Sequence, residues 1–582
     1  MSEATRETLI DVLEQIATLL ELKAENPFKI RAYRTGAETV RTYPGDFLQL
    51  ARDNQLEGIK GIGEALRDKL HTLAATGVLP YVDKLKAEFP DTIFELFELS
   101  GLGAKKIAAL HRELSVGSIA DLQKACESGA AAKLAGFGEK TAAKLLEAIK
   151  TRTLHADRFR VDQVAPAARE ILDYLRDHPD CSRAEVAGSF RRGKEIIGDL
   201  DFLVATKHPA SIMDAFVIPP WVKSVIASGP TKTSVRLHSG VQADLRAVTN
   251  AEFPFALAYF TGSREHNIQL RARALKHGWT LNEYRFATTG PDSPEVPDEI
   301  YEEAEIHRAL GLEFIDPALR EGAGEIEAAE EATLPRLVEL ENLRGTFHNH
   351  TTASDGHASL RQMAEAAMEL GLQYLGIADH SKSSFQANGL DETRLRAQLE
   401  EIRGLNEEFA PYFRLFAGSE VDILRDGSLD FPDELLAELD YVVASIHNVF
   451  TLPEAEMTAR IIRAIKNPFV TMLGHVTGRL LLRRDSYAVN IPAILNACAA
   501  NRTMIELNAN PSRLDMDWRW WRMAKEKGIL CSINPDAHTT HGLQDVWYGV
   551  RSARKGWLTR KDVINCLPLG EVEAALAVKR KA

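Results

Sequence analysis

The spacing of apolar residues divides the chain into a helical first part and a later part that mixes strands with helices. Residues 1–22 place Leu, Ile and Val at three- and four-residue intervals among acidic residues, which predicts an amphipathic helix. A further helix is predicted at 164–178. Strand-like apolar runs follow at 184–190, 199–206 and 233–248. The middle of the chain is therefore expected to be a mixed α+β domain.

From residue 346 onward, short apolar runs alternate with amphipathic helices. The runs read YLGIAD, RLFAGSEV, YVVASI, VTMLGH, TMIEL and LCSIN. Such alternation favours a parallel α/β architecture, either open or closed into a barrel. Just before this region, residues 317–345 are rich in Glu, Gly and Pro, which indicates an acidic linker between domains.

A short motif recurs three times in the first 150 residues. It reads IKGIGEALRDKL at 59–70, LSGLGAKKIAAL at 99–110 and LAGFGEKTAAKL at 134–145. Two glycines around one apolar residue allow a tight turn, after which the first N–H groups of a helix point outward toward a phosphate. The pattern is typical of helix-hairpin-helix motifs that bind the DNA backbone. The predicted DNA-binding glycines are Gly61, Gly63, Gly101, Gly103, Gly136 and Gly138.

Composition sets limits on these interpretations. The 582 residues are 45% hydrophobic and 26% charged, as in globular proteins of several domains. No run of about 18 apolar residues occurs, so no membrane span is expected. The five cysteines are widely spaced, which favours reduced thiols and a cytoplasmic location. A net charge of −13 argues weakly against nucleic acid, but the first third is nearly neutral and does not exclude it.

Three aspartates in the middle region form the first candidate site. Asp199 and Asp201 alternate along one predicted strand, so their carboxylates face the same side, and Asp244 lies in the strand-like run VQADLRAV. Carboxylates that converge on a sheet face suit Mg²⁺ together with substrate phosphates. The preceding turn, GSFRRG, provides a hydroxyl and guanidinium groups for a triphosphate.

The segments GSFRRGKEIIGDLDFLVA (188–205) and YFTGSREHNIQLRARALKHGWTLNEY (259–284) resemble the family X DNA polymerases, which include DNA polymerase beta. The resemblance implies that Asp199 and Asp201 bind both metal ions and that Asp244 orients the primer hydroxyl. It also implies contacts with the incoming nucleotide or its template for Ser189, Arg192, Gly198, Tyr259, Phe260, Gly262, Asn267 and Arg271. Arg264 departs from the pattern, because DNA polymerase beta has an acid at the corresponding position.

The segment PFKIRAYRTGAETV (27–40) resembles the small lyase domain of the same family. By this resemblance Lys69 is the amine that forms a Schiff base with a 5′-deoxyribose phosphate. Lys29, Tyr33 and Arg34 match residues near the 5′-phosphate. The residues alone leave open that Lys69 is an ordinary lysine on the surface of a helix.

Nine potential metal ligands follow apolar runs in the last third of the chain. Strand ends form the active-site rim of parallel α/β folds, and mixed imidazole and carboxylate ligands suit Zn²⁺, Mn²⁺ or Fe²⁺. The motifs that supply these ligands are HNHTTASDG, ADHS, GSEVD, ASIH, LGHVTGR and NPDAH. The residues are His348, His350, Asp355, His380, Glu420, His447, His475, Asp536 and His538.

This set resembles the ligands of the polymerase-and-histidinol-phosphatase (PHP) domain, a distorted β/α barrel with three metals. By resemblance, one metal is held by His348, His350, Glu420 and Asp536, and a second by Glu420, His447 and His475. The third is held by Asp355, His380 and His538. Glu420 would bridge two ions, and the site would hydrolyse phosphoesters.

Together the resemblances cover nearly the whole chain in the order found in bacterial and archaeal PolX proteins. They imply a multidomain α and α/β fold: helical helix-hairpin-helix domains, a nucleotidyltransferase palm of mixed α+β type and a C-terminal distorted β/α barrel. The expected domains are lyase-like (1–90), fingers-type (91–160), palm (161–248), thumb (249–316), linker (317–345) and PHP (346–582).

The expected function is a DNA polymerase that fills short gaps in base excision repair, fused to a phosphoesterase. In the family the latter acts as a 3′→5′ exonuclease, a 3′-phosphatase or an abasic-site endonuclease. The expected partners are gapped or nicked double-stranded DNA and dNTPs, with no membrane, and the chain is expected to be a monomer. Mg²⁺ or Mn²⁺ is expected at the polymerase site, and three ions of Mn²⁺, Zn²⁺ or Fe²⁺ in the PHP site.

Two alternatives stay open at this point. One is a small-molecule phosphatase of the histidinol-phosphate type with a decayed polymerase half. The other is a non-catalytic scaffold that binds DNA ends. The complete aspartate set and the YFTGS motif count against the first, and both complete ligand sets count against the second.

Overall fold

The N-terminal unit, residues 1–156, consists of helices, as the sequence pattern predicts. The structure is a computed structural model that describes residues 5–43, 45–99, 102–154, 157–297 and 299–579. The helices of this unit are α1 (Arg6–Leu22), α2 (Pro27–Thr42), α3 (Phe47–Arg52), α4 (Glu64–Thr76), α5 (Pro80–Lys86), α6 (Ala104–Leu114), α7 (Ile119–Glu127) and α8 (Glu139–Leu154). Their apolar faces fill two cores, one around α1, α2 and α4 and one around α6 to α8.

The three repeated motifs adopt the same turn. In each, the apolar residue between the glycines donates its N–H to the carbonyl oxygen three residues earlier, at 3.1, 3.2 and 3.0 Å for Ile62, Leu102 and Phe137. The second glycine directly precedes α4, α6 or α8. A Cβ added at these second glycines would meet no described atom within 4 Å, so this face of each turn is open. They are Gly63, Gly103 and Gly138.

The second unit, residues 157–582, begins with a mixed five-stranded sheet of order β2-β4-β7-β6-β5. Strand β4 runs parallel to β7, and the other neighbours are antiparallel. The elements in this part of the chain are β1 (Phe159–Arg160), α9 (Val161–Arg176), β2 (Arg183–Val186), α10 (Gly188–Arg191), β3 (Ile196–Ile197), β4 (Asp199–Ala205), α11 (Pro209–Phe216), β5 (Val222–Ser228), β6 (Lys232–Leu237) and β7 (Gln242–Val248). The run 184–190 is thus a shorter strand than expected, because a helical turn begins at Gly188.

A mainly helical region follows the sheet. It contains α12 (Phe253–Thr261), α13 (Arg264–Lys276), β8 (Trp279–Leu281), β9 (Phe286–Thr288), α14 (Glu303–Ala309) and α15 (Glu325–Glu330). Residues 317–345, expected to be a linker, are instead folded. Leu319, Ile326 and Val338 are buried among the Glu residues, and the carboxylate of Glu325 is buried against His266 Nδ1 at 2.9 Å. The sequence pattern did not reveal these buried apolar residues because Glu is so frequent around them. They pack the segment against the neighbouring elements.

The C-terminal region is a barrel of seven parallel strands in chain order. The first and last strands approach each other, because Asn349 bridges to Ala537 and His350 N donates to Ala537 O at 2.9 Å. The elements are β10 (Gly345–Asn349), α16 (Leu360–Glu369), β11 (Tyr374–Ile377), α17 (Glu392–Phe409), β12 (Arg414–Asp422), α18 (Asp433–Leu436), β13 (Tyr441–Ser445), α19 (Glu454–Ile465), β14 (Met472–Leu473), α20 (Ile491–Asn501), β15 (Met504–Asn508), α21 (Trp521–Glu526), β16 (Cys531–Asn534), α22 (Val546–Lys555) and α23 (Leu569–Ala577). The predicted multidomain α and α/β fold with a C-terminal β/α barrel is confirmed, and the barrel is nearly closed.

The barrel packs against the five-stranded sheet rather than standing apart from it. Leu481 and Leu514 of the barrel region belong to the apolar core of the sheet domain. Arg479 Nη2 lies 2.9 Å from Glu195 Oε1, and both side chains are largely buried. Within the described part of the chain, no helix has both the length and the apolar character that crossing a membrane requires.

Candidate functional site

The three predicted polymerase aspartates lie together on the mixed sheet. Asp201 of β4 is the direct neighbour of Asp244 of β7 across the parallel strand pair, and Asp199 begins β4 two residues earlier. Lys232 Nζ of β6 lies 2.9 Å from Asp244 Oδ2, and Gln242 Nε2 donates to Asp244 Oδ1 at 2.9 Å. Parallel pairing of two strands thus brings acids that are 43 positions apart to one end of the sheet.

The electrostatics of these acids differ from one residue to the next. Burial, with the charges of Asp199 and Asp244, raises the pKa of Asp201 to about 7. Burial and the Asp244 charge also raise the pKa of Asp199. Burial alone would raise the pKa of Asp244, but hydrogen bonds from Lys232 and Gln242 hold it below its usual value. The negative charges of the carboxylates repel one another, and either a proton or a bound divalent cation reduces this repulsion. The cluster therefore suits Mg²⁺ or Mn²⁺.

The turn that carries Ser189 and Arg192 lies directly over this cluster. Gly188 has a φ of +61°, and a Cβ there would lie 2.2 Å from Asp201 Oδ2, so a larger residue would be strained and would displace the Asp201 carboxylate. Ser189 is in the short helix α10 that starts at this glycine. Arg192 Nε lies 3.1 Å from Glu321 Oε1, and its Nη1 donates to Thr261 O.

The other predicted nucleotide contacts lie on α12, on α13 and before β4. Tyr259 and Phe260 lie in the last turn of α12 with their rings edge to face at 5.2 Å, and Gly262 follows the helix with a φ of +66°. Asn267 Nδ2 donates to Tyr259 O at 2.8 Å. Arg271, one turn further along α13, is exposed, and Gly198 lies directly before β4. The structure therefore brings Gly262 and Arg192 together, because the Gly262 Cβ position lies 3.4 Å from Arg192 Nη1.

The nine predicted metal ligands converge at the carboxyl ends of the barrel strands. Glu420 lies at their centre and is almost wholly buried. Its carboxylate oxygens are within 4.0 Å of five histidine rings, with nitrogen–oxygen distances of 3.2 Å to His348, 3.8 Å to His350, 2.9 Å to His380, 3.1 Å to His447 and 2.9 Å to His475.

The remaining ligands form a second centre around Asp355 and Asp536. Asp536 Oδ1 lies 3.2 Å from His350 Nε2 and 3.7 Å from His538 Nδ1. Asp355 lies 3.4 Å from His538 Nε2 and 3.6 Å from His380 Nε2. All nine predicted residues are therefore in one continuous cluster.

The side chains of this cluster fit a set of divalent cations. Three groups hold their ligand atoms within 4.8 Å of one another. Among the nine predicted ligands, five histidines have buried ring nitrogens that make no hydrogen bond: Nε2 of His348, both nitrogens of His350, Nδ1 of His380, Nε2 of His447 and Nδ1 of His475. Buried polar atoms are rarely left unpaired, and imidazole nitrogens aimed at carboxylates are the donor set of transition metals.

The grouping differs in detail from the one implied by resemblance. His350 joins Asp355, His380 and His538 as well as His348 and Asp536. His380 also joins Glu420 and His447. His475 lies outside the three groups but touches Glu420. Sharing of this kind follows from the central position of His350 and Glu420.

The predicted lyase residues lie in the N-terminal unit. Lys69 Nζ donates to Ala65 O at 3.0 Å and lies 4.9 Å from the centre of the Tyr81 ring. Tyr81 also interacts with Lys29 and with the buried Tyr33. The pKa of Tyr33 is raised, mainly by its burial and to a smaller extent by the neighbouring Tyr81. The sequence motif did not single out Tyr81.

Arg34 does not join that group, because its guanidinium pairs with Glu21 at 2.6 Å. It lines a cavity of about 530 Å³ with Arg31, Lys105 and Arg112. Of the predicted DNA-binding glycines, Gly101 lies outside the described residues. Gly61 and Gly136 have φ values of +93° and +83°, which favour glycine.

Comparison with known proteins decides the family. A protein of Bacillus subtilis named DNA polymerase/3'-5' exonuclease PolX is 39% identical over 573 residues, which are 98% of this chain and 99% of that protein. The chain belongs to the PolX family. The matched families are a helix-hairpin-helix domain (4–79), a SAM-like helix-hairpin-helix tandem (93–151), the DNA polymerase beta thumb (256–321) and the PHP domain (346–510).

Other relatives match a smaller share of the chain. A probable phosphatase of Thermoanaerobacter sp. is 28% identical over 247 residues, which are 40% of this chain and 94% of the relative. A probable phosphatase of Acetivibrio thermocellus is 32% identical over 202 residues, which are 33% of this chain and 78% of the relative. Each of these relatives thus matches well under half of this PolX protein but most of its own length.

Sequence reasoning missed carboxylates that orient the histidines of the PolX barrel. Glu506 is fully buried on β15, and His348 Nδ1 donates to its Oε2 at 2.5 Å. Asp422, two residues after Glu420, lies 2.9 Å from His447 Nδ1. Both follow apolar runs in TMIEL and GSEVD, so the signal that singled out the ligands also marked these acids. Such partners fix which ring nitrogen faces a metal.

Arg513 and Arg479, near the same motifs, have different surroundings. Arg513 Nε lies 3.5 Å from Asp536 Oδ2, at the edge of the ligand cluster. Arg479 is held by Asp517 at 2.7 Å and by Glu195, so it joins the barrel region to the segment that precedes β3. Lys382 is exposed and pairs with Glu392.

Proposed function

We propose that this PolX protein fills short DNA gaps at the aspartate site and hydrolyses DNA phosphoesters at the barrel site. The observation that carries the proposal is the assembly of both complete side-chain sets within one chain. The 39% identity with the Bacillus subtilis protein over nearly its full length supports the pairing of the two activities. The setting that fits is base excision repair, carried out by a monomer in the cytoplasm.

At the polymerase site, Asp199, Asp201 and Asp244 would hold Mg²⁺ or Mn²⁺. Such ions lower the pKa of a primer hydroxyl and neutralise the leaving pyrophosphate. Asp244 is held in position by Lys232 and Gln242, and it would orient the primer hydroxyl. Ser189, Arg192 and Gly198 would bind the triphosphate of a dNTP. Tyr259, Phe260, Gly262, Asn267 and Arg271 would position its sugar, its base and the template strand.

At the barrel site, the nine predicted ligands would hold Mn²⁺, Zn²⁺ or Fe²⁺. Divalent metals there would polarise a phosphoester and supply a nucleophile from water. Glu420 would contact two of these ions, a proposal supported by the distances of 3.2, 2.9 and 3.1 Å from its carboxylate to His348, His380 and His447. Arg513 lies where it can stabilise negative charge on a phosphate beside Asp536.

The substrates of the two sites are proposed to be ends of the same DNA gap. The three helix-hairpin-helix turns present unobstructed helix N-termini that suit backbone phosphates, and bases need not be read. The partial match to a probable phosphatase favours 3′-phosphate removal beside the exonuclease activity named for the Bacillus subtilis relative. A lyase step by Lys69 would prepare the 5′ side of the gap.

One set of incubations separates this proposal from its alternatives. The full-length protein and Mn²⁺ are mixed with labelled, gapped DNA, with or without dNTPs, and in parallel with a small phosphomonoester. Extension with dNTPs and shortening without them is the expected result. Hydrolysis of small phosphomonoesters alone would favour a metabolic phosphatase, and binding without either reaction would favour a scaffold.

A further inference from the structure

Helix α22 of the barrel region packs against the turn that carries the proposed triphosphate residues. Arg551 Nη2 donates to the carbonyl oxygen of Phe190, and its guanidinium lies 4.9 Å over the Phe190 ring. Four residues later, Lys555 Nζ donates to the carbonyl oxygen of Arg192 at 3.2 Å. Two side chains of one helical face therefore hold the backbone of the turn at two points.

The carboxylate of Glu321 is shared by three cations at this contact. Its oxygens lie 2.5 Å from Lys555 Nζ, 3.1 Å from Arg192 Nε and 2.9 Å from Lys194 Nζ. The ring of Trp518 lies 4.7 Å from Lys555 Nζ and 5.3 Å from Lys194 Nζ. Three cations around one carboxylate leave an excess of positive charge, which a polyanion would balance.

Lys555 itself cannot touch such a ligand, because its side chain has no exposed surface. Burial lowers the pKa of Lys555 to about 8, although Glu321 opposes this effect. Burial alone would raise the pKa of Glu321, but Lys555 and Lys194 bring it down to about 2. A buried pair of this kind contributes little net stability compared with apolar side chains, so its value lies in what it positions.

The group that it positions is the guanidinium of Arg192. Glu321 engages Nε, and the carbonyl oxygen of Thr261, next to Gly262, accepts from Nη1. These two contacts fix the plane of a group with five N–H donors, so its free edge can be presented to phosphate oxygens. Lys555 holds both Glu321 and the backbone of Arg192, so it acts on the guanidinium from two directions.

We propose that Lys555, through Glu321, is a positioning residue for the binding of the nucleoside triphosphate by Arg192. The barrel region thereby contributes to the polymerase site without touching its substrate. The inference rests on the proposed polymerase function and on the assignment of Arg192 to the triphosphate.

The test compares KM and kcat for a dNTP on gapped DNA in the full-length protein and in Lys555→Met. The substitution should raise KM about tenfold, the effect of losing one charged hydrogen bond, and change kcat little. Mn²⁺-dependent phosphoester hydrolysis should stay at the wild-type rate, and Lys555→Arg should restore much of the affinity. An unchanged KM in folded Lys555→Met would overturn the inference.

Lys579→Met is the matched control. Lys579 is also a partly buried lysine of the barrel region, and it donates to Ile465 O, Val470 O and Thr503 Oγ1. It should lower the unfolding temperature without affecting KM for the dNTP. An equal rise of KM in both variants would show that general destabilisation, and not positioning, is measured.

Glu321→Gln tests the same link without altering α22. It should raise KM, and combining it with Lys555→Met should add little, because both changes break one connection. A lower KM in Glu321→Gln would mean that the carboxylate competes with the triphosphate, which contradicts the inference. Wild-type protein that incorporates no dNTP would instead remove the proposed polymerase function itself.

Discussion

Glu506 Oε2 lies 2.5 Å from Nδ1 of His348, so a buried carboxylate orients a histidine whose other nitrogen lies 3.2 Å from Glu420. Glu506 also accepts hydrogen bonds from the backbone N–H of His475 at 3.0 Å and from Asn534 Nδ2 at 2.8 Å. One residue on β15 therefore holds two of the proposed metal ligands in place.

The first prediction concerns this carboxylate. Glu506→Gln should weaken Mn²⁺ binding about 10–100-fold, because partners of ligand histidines contribute to that extent. Isothermal titration with Mn²⁺ measures the effect, and hydrolysis should require correspondingly more Mn²⁺. Extension of gapped DNA should be unchanged. Glu434→Gln, at an exposed position of α18, is the control, and identical titration curves for the two variants would refute the role of Glu506.

The second prediction concerns Glu420. Glu420→Gln should abolish hydrolysis and bind fewer ions, since its carboxylate touches five histidines, yet the variant should still extend gapped DNA. EDTA should likewise stop hydrolysis, with Mn²⁺ restoring it better than Mg²⁺ because of the imidazole ligands. Elemental analysis of undialysed protein gives the ion content. Wild-type protein without transition metal and without Mn²⁺-dependent hydrolysis would show that the barrel is not an enzyme.

The third prediction concerns separation of the two activities. Asp244→Ala should abolish dNTP incorporation. A ligand of the metal ions that catalyse nucleotidyl transfer stabilises the transition state by several kcal/mol, and this variant loses such a ligand. Asp199→Ala should do the same. Mn²⁺-dependent hydrolysis should stay near the wild-type rate in both. Primer extension and phosphoester hydrolysis are measured on the same preparations, and near-normal extension by Asp244→Ala would refute the assignment of the palm.

The fourth prediction concerns the glycine above Asp201. Gly188→Ala places a methyl group 2.2 Å from Asp201 Oδ2 at a φ of +61°, so incorporation should fall strongly. Gly570→Ala, in α23 where a Cβ meets no described atom within 4 Å, is the matched control and should keep full activity. Primer-extension rates and melting temperatures of both variants check this. Normal extension by Gly188→Ala would mean that the turn can move away from Asp201.

The fifth prediction concerns the lyase. Borohydride should trap the protein on DNA that ends in a 5′-deoxyribose phosphate, and Lys69→Ala should remove most of the trapped complex. Lys29→Ala tests whether Lys29 is the reacting amine instead. We expect this variant to reduce trapping only because it binds the 5′-phosphate more weakly. Persistent trapping by Lys69→Ala would point to another lysine or to the N-terminal amine.

The sequence by itself determined the fold class and the chemistry of both candidate sites. Short apolar runs marked the strands that became β4, β7 and the barrel, because those strands are buried, and three- to four-residue spacing of apolar residues marked the helices. The candidate ligands could be found because they follow apolar runs directly, and strand ends converge in any parallel barrel. Family resemblance then supplied a role for each of them.

Tertiary structure alone decided which distant residues meet. Nothing near Glu325 in the sequence reveals that its carboxylate is buried against His266, so the segment 317–345 read as a linker. Glu506 and Asp422 looked like other acids after strands, and only packing turned them toward His348 and His447. Lys555 and Arg192 are 363 positions apart, and their contact depends on how a helix of the barrel docks on the sheet domain. Local patterns report burial and periodicity, whereas such contacts depend on the summed packing of whole domains.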